Sequence, residues 1–319
     1  MSVHAIGFDE FGSPDVLHEV ELPWSEPGPG QVRIAVAAAA VNPTDLTVRS
    51  GGRASQYERQ PTPHVPGMDL AGSIDAVGEG ADGRLHVGDQ VIALVLPFAD
   101  TRGAYTTSIV VDQRSVVRAP HGASIPHAAT LLLNAVTATL ALDALRLTPG
   151  QAVAITGAPG AVGTYAAAIA HHRGLTVVTD SRQGDGEAVR EAGADIVLPR
   201  GEHFVPELHQ HFPDGVAGLI DGAALNENAL PAIADNGALA SLKGWTGPTV
   251  RGIRLEAISS FGAVTDTARL EQVRDLAEAG VFRLRVAALL PAQKAAEAHR
   301  RVAAGGLDGR IVLDMSTLR

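Results

Sequence analysis

The chain has 319 residues, enough for about two domains, with 45% hydrophobic and 19% charged residues, the balance of a folded globular protein. A formal net charge of -10 without a concentrated Lys/Arg run argues against nucleic acid or an anionic membrane as main partner and favours a small ligand. The count of 0 cysteines removes disulfides, thiolate zinc sites and cysteine nucleophiles together. The Met1 start shows no basic segment leading into an apolar one, and no apolar run of about 18 residues suggests a membrane span, so a cytosolic (cytoplasmic) location is expected.

Residues 1 to about 120 read as β-rich. Strand-like runs at 3–8, 17–22, 31–40, 72–77, 90–96 and 105–111 are separated by turns such as Glu26-Pro27-Gly28-Pro29-Gly30 and Val87-Gly88-Asp89. Many short strands at close spacing predict a partly closed barrel. The first helical period is an apolar, Ala-rich pair over 126–145 around Asn134 and Thr137, which places a domain boundary near 120.

From Gln151 strands and helices alternate. A strand at 152–156, a turn with Gly157, Gly160 and Gly163, a helix at 161–172 and a strand at 176–179 make one βαβ unit. Glycines at such a strand-to-helix turn let backbone approach a pyrophosphate, whose charge meets free N–H groups and the helix dipole. A dinucleotide is expected here. Helices follow at 187–192, 204–211 and 227–234, with strands at 195–198, 218–221, 238–242 and 254–258. The pattern predicts a doubly wound parallel sheet. The tail reads as a helix at 267–279, a strand at 284–289, a helix at 291–304 and a strand at 310–313, expected to return to the first domain. The expected division is a β-rich catalytic domain, 1–120 completed by 262–319, and a nucleotide domain, 121–261.

Ordered motifs along nearly the whole chain resemble the medium-chain dehydrogenase/reductase superfamily. They are Pro27-Gly28-Pro29-Gly30-Gln31-Val32, Val41-Asn42-Pro43-Thr44-Asp45, Arg49-Ser50-Gly51, Pro66-Gly67-Met68-Asp69-Leu70-Ala71-Gly72 and Val87-Gly88-Asp89-Gln90-Val91. Gly103-Ala104-Tyr105, Ala128-Ala129-Thr130-Leu131, Thr156-Gly157-Ala158-Pro159-Gly160-Ala161-Val162-Gly163, Ala192-Gly193-Ala194-Asp195 and Gly309-Arg310-Ile311-Val312-Leu313 complete the set. More narrowly, the chain resembles the zinc-free quinone oxidoreductase (zeta-crystallin-like) branch, which implies an α/β chain with a GroES-like barrel beside a Rossmann domain. Zinc-dependent members carry a Cys where Asn42 stands and His-Glu where Met68-Asp69 stand, and their four-cysteine lobe is missing. No three-ligand site for a Lewis-acidic zinc is expected.

The resemblance also implies a cofactor set. The second strand of the βαβ unit ends Thr179-Asp180-Ser181-Arg182. In the family's register Ser181 takes the place of the acid that binds the NAD ribose, and Arg182, helped by Arg200, would carry the 2′-phosphate, so the expectation is NADPH. A shift of one residue would put Asp180 on the ribose and favour NADH. Asn42 and Thr137 are expected near the nicotinamide and its ribose or phosphates, and Ala158, Gly160, Ala161 and Val162 by the pyrophosphate. Ala223, Leu242 and Lys243 would lie at later strand ends, and Phe261 and Arg310 would close the cleft.

Hydride transfer to a quinone or an activated (enone) C=C needs a positioned cofactor and a dry pocket more than acid–base groups. Asn42 Nδ2 and the Tyr105 hydroxyl are the candidate donors to a developing oxyanion, with Asp45 orienting backbone or ribose. Tyr57, in a polar loop over 51–62 that should determine substrate choice, reads as a mobile surface residue or a pocket cap. Thr107 and Ser108 stand at usually acidic and aromatic positions, and Thr47 lies near the place of a family tyrosine. The pocket is thus less aromatic, and an enone or an enoyl thioester is an alternative acceptor. A reading of another class is an NADPH-binding stabilising or sensing protein without turnover. The histidines, including His64 with His86, His171 with His172 and His209 with His211, lack metal-ligand spacing, so no metal is expected. A homodimer through a sheet edge at 252–262 is the family's implication.

Overall fold

The computed structural model describes residues 2–182, 184 and 186–318. The chain divides into two compact units, one of Met1–Leu133, Phe261–Glu278 and Leu284–Arg319, the other of Asn134–Ser260 and Ala279–Arg283. The first crossing falls inside a helix at Leu133, beyond the boundary expected near 120, and residues 279–283 belong to the second unit.

The first unit opens with a separate antiparallel hairpin, β1 (Ser2–Gly7) and β2 (His18–Pro23). Its main sheet is built around β3 (Gln31–Val41), followed by α1 (Pro43–Arg49), β4 (Asp69–Val77), β5 (Gln90–Leu94), β6 (Ser108–Asp112) and β7 (Val116–Arg118). Val32, Ile34 and Val36 alternate into the core, the period of a half-buried strand. Where the β3–β4 register shifts between Val36 and Ala38, a Cβ on Gly72 would stand 2.1 Å from the Ala35 carbonyl oxygen, so only glycine lets the strands approach. The helices α2 (Ile125–Ala128) and α3 (Leu132–Leu145) follow. The stretch Ile125–Leu145 is, against expectation, long and apolar enough by length and composition to cross a membrane; most of it is buried inside the protein, which accounts for its apolarity.

In the second unit β8 (Ala152–Thr156), α4 (Ala161–His172), β9 (Thr176–Ser181), α5 (Gly186–Glu191), β10 (Ile196–Pro199), α6 (Phe204–His211), β11 (Val216–Asp221), β12 (Ile233–Ser241) and β13 (Arg254–Ala257) build a six-stranded parallel sheet. Its order is β10-β9-β8-β11-β12-β13, with β13 at an edge. Val153, Ala154 and Ile155 are all buried, as in a sheet covered on both faces. The helix expected over 227–234 is a 3-10 segment, Asn226–Ala232, and Ile233 already belongs to β12. Pro231 inside it has no N–H to give an α-helical bond.

The tail comprises α7 (Thr267–Glu278), β14 (Val286–Pro291), α8 (Ala295–Ala304) and β15 (Arg310–Asp314). The helix expected over 291–304 loses its first residues to β14 and a 3-10 turn at Ala292–Lys294. β15 pairs antiparallel with β3, Ile311 facing Val41, which ties the last segment into the first unit's sheet order β14-β15-β3-β4-β5-β7.

Candidate functional site

In the second unit the turn after β8 is shaped by two glycines. Gly157 has φ +71, and an added Cβ would lie 3.0 Å from the Gly222 carbonyl carbon; on Gly163 it would lie 2.6 Å from Ala158 Cα and 2.7 Å from two carbonyl oxygens. Gly160 is extended (φ -69, ψ 162), and its Cβ would meet only the Gly157 oxygen at 3.2 Å. Gly160 caps α4 and its carbonyl accepts from Thr164 N at 2.9 Å, so the amides of Ala161, Val162 and Gly163 have no intrahelical acceptor. Three donors at the positive end of a twelve-residue helix form an anion cradle.

The Ala158 amide is not among those donors. It donates to Asp180 Oδ1 at 3.0 Å, so the backbone group expected to face a pyrophosphate is committed inside the turn. Asp180 is buried at the end of β9, and its Oδ2 receives Arg200 Nε at 2.8 Å. Arg200 is therefore paired with a carboxylate through one edge of its guanidinium while its side chain stays 30% exposed. Ser181 is buried, its hydroxyl donating to the Arg182 carbonyl at 2.9 Å, while the Arg182 side chain is exposed with no ion pair among the described residues. Thr156 Oγ1 donates to Asp221 Oδ1 at 2.9 Å and accepts from Ala223 N at 3.3 Å, which brings exposed Ala223 beside the glycine turn. Leu242 is half-buried, with its Cδ1 3.5 Å from where a Gly222 Cβ would be; Lys243 is exposed, and Thr137 is half-buried on α3.

The first unit gathers a second group. Asn42 ends β3 and caps α1; its backbone N–H donates to Asp45 Oδ2 at 2.8 Å and its Nδ2 to Asp69 Oδ2 at 2.9 Å. Asp69 Oδ1 accepts from Leu133 N at 2.8 Å. Tyr105 Oη lies 3.2 Å from Asp45 Oδ2 and 3.2 Å from His299 Nε2. The Tyr105 ring fits because Gly67, at φ +100, leaves space a Cβ would fill at 2.5 Å from Tyr105 Cδ1. Burial pushes the Asp45 carboxyl up to about 7, with the Asp69 charge adding, against the Asn42 amide, Tyr105 and Arg310. Burial likewise pushes Asp69 up to about 7, opposed by the Leu133 amide, Asn42 and Arg310. Burial, with the Arg49 charge adding, drives His299 down to about 3, so its ring is neutral.

This arrangement revises two expected roles. The Tyr105 hydroxyl is fully buried, donating to Asp45 and accepting from His299, so its proton is committed within the protein and not aimed at a substrate oxygen. Asp45 closes the α1 cap and holds that hydroxyl. Asn42 is thus held through its backbone by Asp45 and through its side chain by Asp69.

Tyr57 is not a surface residue. It is 3% exposed, with ring centroids 4.8 Å from His64, 5.9 Å from Phe11 and 6.1 Å from Phe98. Phe261 stacks edge-on against Phe98 at 5.3 Å and carries the Arg53 guanidinium 4.7 Å from its centroid, so this side of the unit is richer in aromatics than the sequence suggested. Asp69 and His299 are the polar groups missing from the expected site. His299 follows Ala295 and Ala298 on the buried face of α8, a helical period that could have placed it.

Among the described residues no three His, Cys, Asp or Glu side chains stand together to hold a metal ion. Asn42 and Met68 occupy two positions that would need to be ligands, and both are buried. The donor set does not fit zinc.

Residues 28–121 match the alcohol dehydrogenase GroES-like domain model, and residues 170–313 the zinc-binding dehydrogenase model. A quinone oxidoreductase of Pseudomonas aeruginosa is 28% identical over 97% of this chain and 98% of its own length. A 2-methylene-furan-3-one reductase of Solanum lycopersicum is 28% identical over 76% of this chain and 63% of its own. A mycobacterial protein solved in complex with NADPH superposes with TM-score 0.83 at 28% identity, covering 97% of this chain and 99% of that one. An oxidoreductase built from a GroES-like domain and a Rossmann-type parallel sheet is the class these features define. The chain belongs to the medium-chain dehydrogenase/reductase superfamily and, within it, to the quinone oxidoreductase branch.

Proposed function

We propose that the chain is an NADPH-dependent, zinc-independent reductase that delivers a hydride to a quinone or to the activated C=C of an enone. One observation carries the reading: the turn from Gly157 to Gly163 fits a dinucleotide, with three helix amides that have no intrahelical acceptor and two positions where any Cβ would collide. When bound, the nicotinamide supplies the hydride. The amides of Ala161, Val162 and Gly163 meet the pyrophosphate charge, and exposed Arg182 meets the 2′-phosphate. Asn42, held by Asp45 and Asp69, is the candidate polar side chain toward an oxygen that gains charge as hydride arrives. Phe98 and Phe261 supply flat apolar walls suited to a ring or conjugated acceptor. Similarity to a quinone oxidoreductase and to an enone-type reductase supports this acceptor class, and similarity to a protein solved with NADPH supports the cofactor.

The test is stopped-flow oxidation of NADPH with 1,4-quinones and simple enones, beside binding of NADPH and NADH. Normal cofactor binding with no turnover on either acceptor refutes the reductase; a crotonyl thioester outcompeting both shifts the substrate class to enoyl thioesters. Arg182→Ala weakens NADPH far more than NADH, and equal losses place the phosphate elsewhere. The edge position of β13 supports a homodimer through that strand, which sedimentation velocity tests.

A further inference from the structure

A carboxylate at the end of the second strand of a βαβ nucleotide unit ordinarily bonds the ribose diol of NAD and repels a 2′-phosphate. Asp180 stands at that strand end and is 2% exposed, yet its oxygens are already engaged. Oδ1 accepts from Ala158 N at 3.0 Å and from Arg200 Nη2 at 3.4 Å, and Oδ2 accepts from Arg200 Nε at 2.8 Å. Arg200 is anchored at its other end too: its backbone N–H donates to the Ser181 carbonyl at 3.0 Å, just past β10. About a third of its side chain remains exposed, and Nη1 has no hydrogen bond among the described residues. The guanidinium thus lies between the acid and solvent, beside the residue that precedes exposed Arg182.

We propose that Arg200 masks Asp180: by pairing with its carboxylate, it cancels the charge that would repel a 2′-phosphate and presents its outer N–H groups to that phosphate, so that the chain takes NADPH despite a strand-end acid. The inference deepens the NADPH reading and rests on it. Arg200 is then a specificity residue whose effect depends on Asp180, while Arg182 acts as a direct phosphate contact. A fork on one carboxylate with spare donors turned outward is geometry that guanidinium supplies and ammonium does not.

The experiment is isothermal titration of the full chain with NADPH and NADH, for wild type, Arg200→Gln, Asp180→Asn/Arg200→Gln and Arg200→Lys. Stranding the acid should weaken NADPH about 30-fold or more, since removing one partner of a buried charge pair leaves the other uncompensated, and NADH by less than about threefold. The double variant, with no charge left to mask, should recover at least about tenfold of the NADPH loss. Equal losses for both cofactors in Arg200→Gln, or a double variant no better than the single, overturns the masking. Arg200→Lys keeps a charge beside Asp180 but loses the outward guanidinium donors, so if the Gln variant does not fold it reads the same ratio: NADPH should weaken more than NADH, and an NADPH loss no greater than the NADH loss in the Lys variant counts against the proposal. A wild type that binds NADH more tightly refutes the NADPH reading separately, while the change in the ratio on Arg200→Gln still decides the mask.

Discussion

Replacing Tyr105 by phenylalanine removes one oxygen from the centre of the first unit's polar group. His299 Nε2, which gives its hydrogen to that oxygen, loses its partner, and His299 Nδ1 already has none among the described residues, so the whole buried ring is left unbonded. Asp45 loses a donor but keeps the Asn42 amide. A buried polar group left without a partner costs about 1–3 kcal/mol, and both Tyr105 contacts at 3.2 Å are long for a hydroxyl. The two losses together should cost about 2–4 kcal/mol, a Tm fall of about 5–10 °C in the unit that contains them. Thermal unfolding followed by circular dichroism measures this, and turnover of NADPH with a quinone measures function. With the proton committed to Asp45, kcat should stay within about threefold of wild type. A kcat fall of about 100-fold or more at unchanged Tm is the signature of a lost oxyanion donor and would refute the structural role.

Gly163→Ala should abolish nucleotide binding and lower Tm, because the new Cβ stands 2.6 Å from Ala158 Cα, whereas Gly160→Ala, with one contact at 3.2 Å, should bind with a modest loss; titration with NADPH compares them, and equal binding by both would contradict the turn geometry. Asp45, lifted to about 7 from an unfolded value near 3.9, contributes a stability that is full below about pH 4 and lost as pH rises through about 7. Wild-type Tm should therefore fall between pH 5 and pH 8, and Asp45→Asn should narrow that fall, an unchanged pH slope in calorimetry arguing against the buried acid. Dialysis against a strong chelator should leave reductase turnover intact, since Asn42 and Met68 offer no ligand set; activity lost to the chelator and restored by zinc would overturn that assignment.

Much of the fold was readable because its signals are local. The run from Ala152 to Ser181 carries strand, glycine turn, helix and strand in one short window, and period and glycine spacing suffice to place it. The errors fall where local preference met tertiary demands. The sequence pattern placed a helix over 227–234, but Pro231 and the pairing of β12 with β11 took residues from 233 onward into the sheet. Tyr57 sat in a polar stretch, which predicts a surface; its ring is held inside by Phe11, His64 and Phe98, partners distant in sequence.

The candidate site divides the same way. Asn42, Tyr105 and Arg310 were legible as members of motifs, but not what they touch. Whether a tyrosine hydroxyl faces a substrate or a buried carboxyl depends on which chain segments meet, and His299 comes from a helix nearly two hundred residues further on. By itself the sequence determined the two-part α/β architecture, the glycine turn and the lack of thiolate ligands, since these depend on short-range periodicity, on glycine and on residue identity. Only the tertiary structure decided that Gly163 is the strict glycine, that Asp180 is occupied by Arg200 and the Ala158 amide, and that Tyr105 is committed to Asp45, because each follows from the approach of atoms that the chain order leaves far apart.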